Sequence, residues 1–396
     1  MKNLKPLVWL SVIILIVVMV CLAACNPKKP EPNELGVITA EQWKDIHPDV
    51  YESFMKNTSN TAKPSYLTQY PFLVTIYDGM GFAKDYNEAR GHPYTLEDVA
   101  ATGRPHLLAN CLTCKSPEMT ALVNSEGVGV YSTDFAEIYA KISESVSCYN
   151  CHENTDGELV VTAGYLKDAL GADMSKVDSG MLVCGQCHNE YYFDPTTKAT
   201  ILPWNGLSNM NPDAILAYYN AINFSDFTNS ISGAAMIKVQ HPEFETINGT
   251  GSMASGMGNR SCGDCHMGTT TNSKGVEFIS HNWMSPVKNQ EIQDERCNSC
   301  HKGNLPTSVA AIQKTTHDRL VTIGGKLADL HIKIGQAAQS GASEALLAEL
   351  RLAVRNGQFY FDFVFVENSY GAHNSALTKQ LLDKAEQIID QALAKL

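Results

Sequence analysis

The sequence predicts a mainly α chain with little β structure and long C-terminal helices, and three observations carry that expectation. After Lys302 the chain turns into long amphipathic helical patterns, whereas before it clear alternation of apolar and polar residues is scarce. Ten of the twelve cysteines fall into five C-x-x-C pairs, which offer the middle of the chain something other than a conventional apolar core to fold around.

Taken in order, the chain opens on a targeting segment. Lys2 and Lys5 precede a run from Leu7 to Ala24 that is apolar except for Ser11. At 18 residues this run is at the short limit for crossing a bilayer, so an uncleaved anchor is the alternative to a removed signal peptide. Leu22 to Cys25 reads LAAC, which resembles a bacterial lipobox. That reading makes residues 1–24 a lipoprotein-type signal peptide and Cys25 the lipid-anchored first residue of an exported protein, periplasmic or on the outer face of the cytoplasmic membrane. Residues 25–40, rich in Pro and charge, form an extended tether.

Residues 41–305 are expected to fold as a body of short helices and loops. Thr39 is placed to cap a first helix, and DVAATG, AEIYAKI and NPDAILAYYNAI give further short helices bounded by Gly and Pro. VEFIS and ELVVTAG are the candidate strands. In residues 306–396 three long amphipathic patterns follow, the first interrupted or kinked at Gly324 and Gly325. From periodicity alone these helices either brace the monomer or join two subunits.

Composition is that of an ordinary globular protein, 44% hydrophobic and 18% charged over 396 residues, with a net charge of −12. No cluster of Lys and Arg is present to neutralise phosphates, which excludes nucleic acid as a partner. An anionic substrate would have to be drawn by a local positive site.

The cysteine pairs decide the chemistry. Cys148/Cys151, Cys184/Cys187, Cys262/Cys265 and Cys297/Cys300 are each followed at once by a histidine, His152, His188, His266 and His301; Cys111/Cys114 is followed by Lys115. A zinc site would combine two pairs and leave the histidines incidental, and a redox dithiol occurs once rather than five times. In c-type haem attachment both thiols bind the porphyrin and the next residue is placed under the iron. The motifs therefore imply a multihaem cytochrome c fold, consistent with export, in which much of the buried apolar surface is cofactor.

Lysine must lose a proton to bind iron. Either CLTCK is a degenerate attachment site, or Lys115 is the one protein ligand of an iron open on its other face. Here the pattern resembles the pentahaem, ammonia-forming cytochrome c nitrite reductases, in which a lysine-ligated haem accompanies four C-x-x-C-H haems in this order. The resemblance extends over roughly residues 41–375 through KDYNEARGHPY, TGRP, VCGQCHNEYYFD, FSDFTNSIS, KVQHPEFE and ENSYGAHN.

The resemblance implies five covalently attached haem c groups and six-electron reduction of nitrite to ammonium. It places Arg104, Tyr191 and His241 over the substrate, and gives Ca2+ to Glu190, the Tyr191 and Lys238 carbonyls and Gln240. It pairs His92 with the third attachment site, His281 with the second and His373 with the fourth. It also implies a homodimer formed by the C-terminal helices and a membrane-bound quinol-oxidising cytochrome as electron donor. One departure stands out, because the histidine expected for the last haem is absent from residues 247–262. Met253 and then Met257 are the first candidates in its place, with His47, His106, His317, His331 or no ligand as alternatives. The rival function is a multihaem electron-transfer protein with every iron closed; sulfite or hydroxylamine reduction would use similar parts.

Overall fold

The computed structural model describes residues 28–105, 108–248 and 260–396. The targeting segment, Cys25, His106, Met253 and Met257 lie outside them. No described helix is long and apolar enough to cross a membrane.

The first helix, Ala40–Trp43, begins where its cap predicts, with Thr39 and Gln42 forming a reciprocal capping box. This segment is sewn to the second attachment motif: the Ile38 N–H donates to Asn154 Oδ1 at 2.9 Å and the Ala40 N–H to Glu144 at 3.1 Å. The other short helices also form, slightly displaced, as Thr95–Ala100, Phe135–Tyr139 and Pro212–Ala221. Asp134 and Asn211 cap the last two with their side-chain oxygens.

Strand structure among the described residues is limited to three two-stranded antiparallel ribbons: Tyr192–Phe193 with Thr200–Ile201, Phe227–Thr228 with Ala235–Met236, and Thr269–Thr271 with Glu277–Ile279. VEFIS supplies the last of these, but ELVVTAG forms no strand. Its backbone is satisfied otherwise: the Thr162 and Ala163 N–H groups both donate to the buried Gln186 side chain, at 2.9 and 3.0 Å, and the Val160 N–H donates to the Cys151 carbonyl. A side chain from the third attachment motif takes the place of a neighbouring strand.

The three long helices are Leu305–Gln339, Glu344–Phe365 and Ser375–Leu393. The first runs unbroken through Gly324 and Gly325. Gly324 serves close packing instead: a Cβ there would lie 2.4 Å from the Phe72 ring. One apolar cluster joins the long helices to the body, with Ile323, Leu327, Phe359 and Phe363 packed among Leu73, Ile76, Tyr77 and Tyr219. Arg355 adds polar pins, donating to Asn220 Oδ1 and to the carbonyls of Phe224 and Ala235.

Candidate active site and cofactor attachment motifs

The four C-x-x-C-H motifs share a backbone that the Cys111/Cys114 pair lacks. Cys148–His152 and Cys262–His266 are single helical turns, each begun by a serine capping box. In the other two the histidine N–H bonds back to the first cysteine carbonyl, His188 to Cys184 at 3.0 Å and His301 to Cys297 at 2.9 Å. A helical turn of this kind brings both thiols and the imidazole to one side. At CLTCK the chain makes a 3-10 turn over Ala109–Leu112, and Cys114 adopts a left-handed conformation, φ 57°. Lys115 N–H bonds to Leu112, not Cys111, and its carbonyl accepts from the Thr95 hydroxyl at 2.7 Å. The exchange of His for Lys thus comes with a different turn.

Thiols of different motifs adjoin. Cys114 is within hydrogen-bonding reach of Cys187, and Cys184 of Cys262. Cys151 and Cys187 lie within electrostatic range of each other, as do Cys265 and Cys297. The motifs therefore form a connected cluster in which the third touches the first, second and fourth.

Cys300 differs from the other attachment thiols in its exposure. It is exposed, as is His301 beside it, whereas the other nine described cysteines are all partly buried. The reason lies in the element that delivers it. The chain reaches the motif through a π-helical turn, Gln293–Cys297, of which only Gln293 is buried, and leaves it for the long helix starting at Leu305. Asn298 and Ser299, between the two cysteines, are polar and exposed as well, and the nearest partner of the Cys300 sulfur is the Ser299 hydroxyl. The last motif thus sits at the edge of the body, with Cys297 turned towards Cys265 and Cys300 turned outward.

The histidine rings stand in facing pairs. His92 and His188 have centroids 6.1 Å apart, His281 and His152 6.2 Å, and His373 and His266 6.0 Å. Two imidazoles bound through nitrogen on opposite faces of one metal, at about 2 Å on each side, need ring centres about 6 Å apart. The spacing and the adjacent thiols fit haem at these three motifs. His188 also has His241 at 6.2 Å on another side. His301 has no facing histidine among the described residues. His331 is fully buried in the long helices with both nitrogens engaged, by Ser232 at 2.8 Å and Gln358 at 3.0 Å, so it has no nitrogen to offer. His47 is paired with Asp156 at 2.8 Å, and His317 lies against Tyr70 and Asp318.

Arg104 is carried on a loop held by Asp85, whose carboxylate accepts from the Thr102 hydroxyl at 2.7 Å and the Gly103 N–H at 2.6 Å. The guanidinium stacks on Phe82 at 4.2 Å and donates to the Thr102 hydroxyl; among the described residues no carboxylate is ion-paired with it. Tyr191 precedes a ribbon in which Tyr192 turns into the core and bonds Tyr218, so of the two adjacent tyrosines Tyr191 is the one left over. Burial holds the Tyr191 phenol above its ordinary range, and the charges it feels include those of Cys111, Cys114 and Arg104. Burial pushes His241 down to about 4, so its ring is neutral at pH 7, and its Nδ1 has no hydrogen-bond partner among the described residues. Asn189, Glu243, Glu245 and Asp362 also carry orphaned buried oxygens, and all but the last lie along the two segments that meet here.

Those segments are tied by Glu190. Its carboxylate accepts from the Gln240 N–H at 2.6 Å and the Tyr219 hydroxyl at 2.8 Å, and the Gln240 side chain bonds the Lys238 carbonyl at 2.7 Å. The Lys238 ammonium points away, onto the Val239 carbonyl and among the rings of Tyr77, Phe82 and Tyr86. Burial pushes Glu190 well above the ordinary carboxylate range, Asp226 to about 6, Asp362 to about 7 and Glu245 to about 8. A set of oxygen donors with more buried acid than buried base fits a divalent, oxygen-preferring cation.

Sequence reasoning missed the carboxylates behind the histidines. Glu243 stands 3.8 Å from His188 Nδ1 and accepts from Asn368, while Glu367 accepts from His373 Nδ1 at 2.5 Å. Both acids lie in stretches quoted above, KVQHPEFE and ENSYGAHN. For Glu367 the available signal was an acid six residues before His373; Glu243, 55 residues from His188, had none.

The chain is similar over most of its length to known proteins. The curated cytochrome c-552 of Aliarcobacter butzleri is 32% identical over 433 residues, covering 100% of this chain and 85% of its own. A solved structure of the cytochrome c nitrite reductase of Desulfovibrio desulfuricans, described for two calcium sites in its catalytic subunit, superposes with a TM-score of 0.80 at 29% identity, over 90% of this chain and 85% of the other. The family model of cytochrome c552 matches residues 39–396, and the chain belongs to that family.

Proposed function

We propose that this protein is an ammonia-forming cytochrome c nitrite reductase with five covalently attached haem c groups. The observation that carries the reading is the Cys111/Cys114 pair, where a lysine on a non-helical turn lies within electrostatic range of His241, and Tyr191 within range of both cysteines and Arg104. A haem held there by Cys111, Cys114 and Lys115 would supply redox-active iron, and the four further haems would relay the six electrons one at a time from the external donor.

The chain's own residues supply charge and protons. Arg104 brings a fixed positive charge, within electrostatic range of Asp85 but ion-paired with no carboxylate among the described residues, which suits capture of a small anion by a protein of net charge −12. Tyr191, its phenol held protonated, is a hydrogen-bond donor over the substrate oxygens. His241, neutral and with an unpartnered nitrogen, can pass protons as water leaves. Calcium held by Glu190, Gln240 and the carbonyls of Tyr191 and Lys238 would clamp the 188–191 and 238–241 segments together, and so fix Tyr191 against His241. His92, His281 and His373 serve the third, second and fourth haems.

Export through residues 1–24, a lipid anchor at Cys25 and a membrane-bound quinol-oxidising cytochrome as donor complete the reading. A homodimer through the long helices is supported by Val321 and Ile332, exposed apolar residues on one face of the first. The test is ammonium yield from nitrite with a reduced dye, in wild type and Arg104→Ala. Ammonium formation that falls roughly 100-fold or more in the variant supports the reading. No ammonium, with every haem six-coordinate and low-spin, overturns it in favour of an electron-transfer protein.

A further inference from the structure

Each histidine of a facing pair needs an acceptor for its second nitrogen, and the acceptors differ in kind. At the second motif both are main-chain carbonyls: His152 Nδ1 bonds Glu158 O at 2.9 Å and His281 Nδ1 bonds Ile279 O at 3.0 Å. At the fourth, His266 Nδ1 bonds the Met284 carbonyl at 3.0 Å, but His373 Nδ1 bonds the Glu367 carboxylate at 2.5 Å. Glu367 is 3% exposed. Its second oxygen accepts from the Ser369 hydroxyl at 2.6 Å, and that hydroxyl oxygen accepts the His373 N–H at 2.9 Å. The Ser369 carbonyl in turn accepts from Gln313 on the first long helix, at 3.1 Å. The carboxylate is thus rigid, fully bonded and removed from water.

A ligating imidazole whose N–H is held by a carboxylate is more basic than one held by a carbonyl, because a whole negative charge pushes electron density onto the ring. A more basic ligand favours the ferric over the ferrous state, and burial lets the charge act with little screening. We propose that Glu367 is a positioning residue of the fourth haem: it fixes the His373 ring for ligation and lowers that haem's potential below that of the second haem. The couple is the one-electron ferric/ferrous one, with the electron supplied by the upstream donor and the Nδ1 proton retained throughout. This rests on the reading that His373 and His266 ligate the same iron.

Glu367→Gln keeps an acceptor for His373 Nδ1 and a partner for Ser369 while removing the charge. In the holoprotein, with haem number checked by intact mass, a redox titration followed by low-temperature electron paramagnetic resonance reads each haem. His373→Met identifies the fourth haem's signal and His281→Met the second's. The expected result is a roughly tenfold shift of the fourth haem's equilibrium towards ferrous at fixed potential, about 59 mV upward, with the other haems unmoved. An unshifted potential in Glu367→Gln, where His373→Met does alter a haem, overturns the role of Glu367 and leaves the ligation reading intact. If His373→Met alters no haem, the ligation reading itself fails and the inference falls with it. In the unmodified protein the signal assigned by His373→Met must titrate below the one assigned by His281→Met; the reverse order also overturns the proposal, whether or not Glu367→Gln matures.

Discussion

His188 has two imidazoles at nearly equal range, His92 at 6.1 Å and His241 at 6.2 Å, and only one of them can share its iron. The assignment of His92 to the haem and His241 to the substrate rests on connectivity. His241 directly follows Gln240, whose N–H bonds Glu190 beside Tyr191, whereas His92 packs on Trp283 at 4.6 Å. The two alanine variants should therefore fail in different ways. His92→Ala should convert one low-spin haem to another ligation state and raise its potential. His241→Ala should leave every low-spin signal in place while turnover falls by roughly 100- to 10,000-fold, the usual contribution of a positioned proton donor, or about 3–5 kcal/mol. The size follows from the state of the ring: burial pushes His241 down to about 4, so at pH 7 the group lost is a neutral N–H donor with one unpartnered nitrogen, and an alanine cavity holds only water. Resonance spectra and nitrite turnover on the same preparations make the comparison. Loss of a low-spin signal in His241→Ala, with none lost in His92→Ala, would refute the assignment and exchange the two roles.

Lys115→His should retain the haem yet lower nitrite turnover about tenfold or more, since the left-handed Cys114 directs a lysine-length side chain and imidazole from that turn is misplaced; wild-type turnover would count against a role for the turn. Calcium chelation should slow turnover and re-addition restore it, with Glu190→Gln insensitive to both; elemental analysis showing no calcium would dismiss the site. The neutral, buried His331 predicts a pH effect of definite sign. Its folded value of about 4 lies below the free value of 6.5, so the unfolded chain takes up the proton first and stability is lost as pH falls through that interval, by about 3 kcal/mol in all. Unfolding curves of His331→Leu at several pH values should lack that portion of the slope. Gly324→Ala should destabilise by about 1–3 kcal/mol despite better helix propensity, because its Cβ meets Phe72; an unchanged melting temperature would show that the ring moves aside freely.

Local signals were the legible ones. Thr39 announced its helix through a cap, the amphipathic patterns announced the three long helices, and each C-x-x-C-H announced a turn that sequence spacing alone fixes. What escaped was set by partners far away along the chain. ELVVTAG has strand composition, but Gln186 from another motif takes up its N–H groups. Gly324 resembled a kink because nothing nearby in sequence hints at Phe72. The left-handed Cys114 has no residue-type signature, since cysteine there answers to the porphyrin rather than to the backbone. The outward turn of Cys300 was equally hidden, because the spacing that fixes a motif's turn says nothing of which neighbours cover it. Glu243 is 125 residues from the Asn368 it bonds, a distance over which no pattern of periodicity speaks.

The cluster of motifs, numbered in chain order, has the topology of a branched network with its junction at the third motif. The third motif adjoins the first, second and fourth, while the fifth adjoins the fourth. Charge entering at the far end must traverse that junction to reach the lysine site, and the second motif hangs off it as a side arm. A lesion at Cys184, Cys187 or His188 would cut the lysine site off from every other motif at one stroke, whereas a lesion at His152 would leave the first, third, fourth and fifth motifs connected.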